Sequence, residues 1–96
     1  MIFRQRRYKK HFNIVSRRIA DQVILVPVKK NISDLDSIYT LNQVAARIWE
    51  LIDGERTFLE IKNAVVDEFA VNPDEAERDL TDFLETLEKI AAVTEV

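Results

Sequence analysis

The second half of the chain carries apolar residues at helical spacing, and the first half carries them in short β-branched runs. Val44, Ala45, Ile48, Leu51 and Ile52 give one helix an apolar face. Thr40 and Asn42 are both candidate N-caps for it, and Thr40-x-x-Gln43 has the form of a capping box. Gly54, the single glycine, follows where a helix end favours a residue that tolerates positive φ, so it is expected to cap this helix. Thr57 and Glu60 form a second T-x-x-E box that restarts a helix from Phe58 to about Ala70, with Ile61, Val65 and Phe69 inward. Asn72-Pro73 with Glu75 opens a third helix. Its apolar stripe is Ala76, Leu80, Phe83, Leu84, Leu87, Ile90 and Ala91.

Before the helices, Asn13–Ala20 and Gln22–Val28 read as strands, and Asp36–Leu41 as a short third strand running into the first helix. Lys29–Leu35 reads as a polar loop. Pro27 donates no ladder hydrogen bond, so its end of the second strand is expected at an edge or bulge. The expected architecture is α+β: a winged helix-turn-helix-like domain with a three-stranded antiparallel sheet followed by three helices. It would span residues 13–96, with residues 1–12 as a basic N-terminal tail.

Composition narrows the function. Ninety-six residues, 47% hydrophobic and 32% charged, suit one globular domain. There are no cysteines, which excludes disulfides and cysteine metal sites. The longest apolar run, Val23–Val28, is too short for a bilayer, and no secretory signal follows the basic start, so no membrane partner is expected and the cytoplasm is the default location.

The net charge of −3 hides an asymmetry. Residues 1–30 hold nine Lys/Arg against one acid, and residues 31–96 hold five against sixteen. The basic half, with Arg4, Arg6, Arg7, Lys9, Lys10, Arg17 and Arg18, reads either as a surface for an acidic partner or as a solvated segment attracted to the acidic helices.

Catalytic chemistry is nearly absent from the inventory. His11 is the one histidine and has no nearby acid cluster. Asp74, Glu75, Glu77 and Asp79 complement a helix dipole better than they build a metal site, because helical spacing splays them. A single glycine forms no phosphate loop. The chain reads as a non-enzyme that needs no cofactor. Residues 57–92 carry ten acids and three bases, which argues against presenting these helices to a duplex.

The run Leu41-Asn42, Ala45, Ile48-Trp49, Leu51-Ile52-Asp53-Gly54, Arg56-Thr57, Glu60-Ile61 resembles the PqqD-like family, relatives of the pyrroloquinoline quinone biosynthesis protein D. Its members serve as recognition elements in ribosomal peptide maturation. The likeness continues through Val71 to Ala91-Ala92-Val93. One departure is Lys29-Lys30-Asn31-Ile32-Ser33, where such domains often carry glycine.

The resemblance implies a peptide-binding module or peptide chaperone. The leader segment of a precursor peptide would add as a strand to the third strand and lie against the third helix. In this chain the edge would be Asp36, Ser37, Ile38, Tyr39 and Thr40, and the facing wall Ala76, Asp79, Leu80 and Phe83. The resemblance also implies a partner, a radical S-adenosylmethionine or other peptide-modifying enzyme. Without cysteines this chain holds no iron–sulfur cluster itself. The alternative reading is a DNA-binding or scaffolding winged helix.

Overall fold

The computed structural model describes residues 3–28 and 38–96. After a 3-10 turn at Phe3–Gln5 the elements are β1 (Tyr8–Lys10), β2 (Ile14–Ile19), β3 (Gln22–Pro27), β4 (Tyr39–Leu41), α1 (Gln43–Leu51), α2 (Phe58–Phe69), α3 (Pro73–Lys89) and β5 (Val93–Glu95). The expected loop Lys29–Leu35 lies outside the described residues, as do Asp36 and Ser37.

β2, β3 and β4 form an antiparallel sheet in that order, followed by the three helices. Ile14, Val23, Leu25 and Leu41 are buried on one face of this sheet, where they join the core formed with the helices. Ala20-Asp21 is a two-residue hairpin between β2 and β3, closed by the Ile19–Gln22 pair, with Ala20 at φ 55°.

The helix starts follow local capping chemistry. Asn42 caps α1 by accepting the Ala45 N–H at 2.8 Å, so the Thr40 box does not form; Thr40 belongs to β4 instead. At α2 the Thr57 hydroxyl accepts the Glu60 N–H at 3.2 Å, and the Glu60 carboxylate accepts the Thr57 N–H at 2.8 Å. That N–H holds the Glu60 carboxyl below its ordinary range. Asn72 caps α3 by accepting from the N–H groups of Asp74 and Glu75.

The helix stops differ from expectation. The C-cap of α1 is Ile52, in extended conformation, and Gly54 lies two residues farther on at φ 83°. The positive φ is real, but its partner is β1: the Gly54 N–H donates to the Tyr8 carbonyl at 2.8 Å. Asp53 shapes the intervening turn, where one carboxylate oxygen accepts both the Glu55 and Arg56 N–H groups at 2.9 Å. α2 ends at a left-handed C-cap, Ala70 (φ 54°), and the C-cap of α3, Ile90, is followed by left-handed Ala91 (φ 59°).

The largest correction concerns the N-terminal segment. Residues 3–10 are packed structure. β1 pairs antiparallel with β5, and Tyr8 is 2% exposed in the core. The Arg6 carbonyl accepts the Phe58 N–H, and the Arg7 carbonyl accepts the Val96 N–H, both at 2.8 Å. The cations beside them are engaged internally: Arg4 with Glu77, Arg6 with Glu95, and Arg7 with the Glu55 carbonyl. Lys10 lies 5.1 Å from the centre of the buried Trp49 ring. The acids of the second half thus draw this basic segment onto the fold, and a single buried tyrosine anchors it.

Candidate functional site: an open sheet edge and an apolar groove

β4 is an outer strand, and ladder geometry says which of its groups are unpaired. The Val28 N–H donates to the Asn13 carbonyl at 2.7 Å. In an antiparallel ladder alternate residues turn both main-chain groups to the same side. Gln22, Ile24, Val26 and Val28 therefore face β2, and Val23 and Leu25 face β4. Their partners Leu41 and Tyr39 bond inward. Thr40 turns its N–H and C=O groups to the outer edge; Ile38, just before β4, has the same parity if the ladder is continued, and both residues are exposed. The same parity explains Pro27. Its absent N–H would point away from β2, so the β2–β3 ladder loses nothing.

Beside the β4–α1 junction lies a cavity of about 520 Å³. Val44, Ala45 and Ile48 of α1, Lys62 and Val65 of α2, and Val71 line it together with α3. From α3 come Glu75, Ala76, Asp79, Leu80 and Phe83, and Asn42 borders it at the end of β4. All four residues expected for the helical wall (Ala76, Asp79, Leu80, Phe83) meet here. They follow i, i+3, i+4, i+7 spacing, one face of a helix. Ala76 and Leu80 are buried, Phe83 is half-buried, and Asp79 is exposed at the mouth. Ile38, Tyr39 and Thr40 do not line the cavity; they form the adjoining edge.

Val44, Ala45 and Ile48 were legible only as an apolar helix face. Half-buried Val44 and Ala45 and buried Ile48 form the second wall of the groove. Lys62 was not legible at all. It is 8% exposed, and its Nζ donates to Glu77 Oε1 at 3.0 Å. Arg4 reaches the same oxygen at 2.9 Å. The Lys62 hydrogen bond, helped by the Arg4 charge, holds the Glu77 carboxyl below its ordinary 4.5.

A depressed carboxyl contributes stability that is present above pH 4.5 and lost as pH falls through its folded value. Thermal melts should show Glu77→Gln less stable than wild type near neutrality, because Lys62 is left buried without its counter-charge, with the difference shrinking below pH 4.5. A difference that stays constant across that range would show the ion pair contributes nothing.

His11 has a structural role in the chain's turns: its Nδ1 accepts the Asn13 N–H, and its main-chain N–H donates to the Ala92 carbonyl. Among the described residues no helix is long and apolar enough to cross a membrane.

The sheet, helix pair and groove define a winged-helix-like α+β domain. The chain belongs to the family of coenzyme PQQ synthesis protein D (PqqD), which matches residues 22–92. The solved structure of TbiB1 in complex with the TbiA(beta) leader peptide has the same fold, with a TM-score of 0.72 and 30% identity. The match covers 88% of this chain and 93% of that one. No curated protein matches significantly.

Proposed function

We propose that this protein is a non-catalytic module that binds the leader segment of a ribosomal precursor peptide and presents it to a radical S-adenosylmethionine or other peptide-modifying enzyme. The observation that carries the reading is the outer edge of β4, where the main-chain groups of Ile38 and Thr40 have no partner among the described residues, beside an apolar groove. A bare edge strand invites pairing with another chain. A peptide added there gains main-chain hydrogen bonds, and a side chain projecting into the groove supplies selectivity. Family membership and the likeness to a protein solved with its leader peptide support this reading. In it the binding edge is Asp36–Thr40 and the wall is Ala76, Asp79, Leu80 and Phe83.

The test is a pair of titrations near physiological ionic strength. A linear peptide selected from a displayed library on the wild-type protein should bind saturably. A labelled DNA duplex should not bind with a steep salt slope, because the exposed helical faces are acidic and Arg4, Arg6 and Arg7 are engaged within the fold. Micromolar, salt-sensitive duplex binding without peptide binding would favour the DNA-binding alternative.

A further inference from the structure

We infer that the groove selects a peptide segment carrying a lysine or arginine close to a large apolar side chain; the inference rests on the peptide-binding reading and adds the chemistry of the ligand. The interior of the cavity is apolar, with Val44, Ile48, Val65, Leu80 and Phe83 among its walls. Among the described residues its charged lining is Lys62 from α2 and Glu75 and Asp79 from α3, and α1 contributes none. Lys62 is committed to Glu77, so it neutralises neither carboxylate at the mouth. The other cations of α1 and the 3-10 turn are also engaged: Arg47 pairs with Glu50 and Glu68, and Arg4 with Glu77.

Glu75 and Asp79 form no ion pair among the described residues, and both are exposed. They stand one helical turn apart, where like charges repel. Glu75 lies in the first turn of α3, where the helix dipole favours an acid, but Asp79 lies beyond that turn. The groove therefore offers an apolar interior under an anionic rim. An extended peptide projects alternate side chains to one side. An apolar residue seated inside places a neighbouring same-side residue at the rim, where a cation relieves the carboxylate repulsion and an anion adds to it.

The experiment selects randomised linear peptides on three immobilised proteins: wild type, Glu75→Gln/Asp79→Asn, and Glu75→Lys/Asp79→Lys. Both positions are exposed, so every variant should stay folded, the Glu75→Lys/Asp79→Lys protein melting somewhat lower because a cation opposes the dipole at the start of α3; melting is measured first. Wild type should enrich peptides with Lys or Arg at a fixed spacing from a large apolar residue. The neutral variant should keep the apolar preference and lose the basic one, and the reversed variant should favour Asp or Glu at that position. For a single wild-type peptide, reversal should weaken binding roughly three- to tenfold at low salt, as expected for partly exposed ion pairs. Raised ionic strength should narrow that gap. Binders with the same basic preference on all three proteins, or with no charge preference on wild type, would overturn the inference while leaving peptide binding intact. A wild-type selection yielding no binders would sink both.

Discussion

Tyr8→Ala should cost about 3–5 kcal/mol, the range for emptying a buried aromatic site. Stabilities of small domains are of order 5–15 kcal/mol, so this is a large share of the total. For a chain of this size the melting temperature should fall by roughly 15–30 °C. The reason is positional. Tyr8 is 2% exposed, and its carbonyl holds the Gly54 N–H that fixes the turn between α1 and α2. Burial also pushes the Tyr8 hydroxyl above its ordinary ionisation range, as expected where water is excluded. Phe12, 78% exposed in the same segment, is the control. Phe12→Ala should stay within about 0.5 kcal/mol of wild type. Equal, small losses in both variants would show that residues 1–12 are the solvated tail the charge pattern suggested.

Ile38→Pro should weaken binding of a wild-type-selected peptide by about ten- to a hundredfold with little loss of fold stability. By strand parity the Ile38 N–H faces the open edge, so proline there removes a donor the sheet does not use. A peptide carbonyl left without its donor costs about 1–3 kcal/mol, and each 1.4 kcal/mol is tenfold in affinity. Tyr39→Pro should act differently. The Tyr39 N–H faces β3, so that substitution breaks the ladder with Leu25 and destabilises the sheet. Arg6→Ala, far from this edge in the chain's β1 region, should leave peptide affinity unchanged. Calorimetric titration with circular dichroism on each variant separates these outcomes. Loss of binding in Arg6→Ala, or none in Ile38→Pro, would move the peptide to the basic segment.

The helix starts were legible because their signals are local. Asn42, Thr57 with Glu60, and Asn72-Pro73 each satisfy backbone donors within three residues, and periodicity places Ala76, Leu80 and Phe83 on one stripe, whereas Asp79 enters the wall only through the family resemblance. The helix ends were less legible. Only Gly54 announced positive φ, and it serves the contact with Tyr8, whereas Ala70 and Ala91 take left-handed conformations without a sequence signal. The apolar spacing continues through Ile90 and Ala91, whereas α3 ends at Lys89 and the chain returns as β5. β1 and β5 are three residues each, and their partners lie at opposite ends of the chain. No local pattern encodes such a pairing, and Lys9-Lys10 made β1 look like a charged tail. The groove needed the fold as well. A lysine at position 62 reads as solvent-facing until Glu77 is seen to hold it.

The most direct test of the account is residue-resolved amide hydrogen exchange with and without a selected peptide. The account predicts that peptide slows exchange at Thr40 and Ile38, whose N–H groups face the open edge of β4. Amides of Tyr39 and Leu41, already bonded to β3, should change less. Protection appearing instead at Lys10 and Glu95, whose N–H groups face away from the β1–β5 ladder, with Thr40 and Ile38 unchanged, would contradict strand addition at β4.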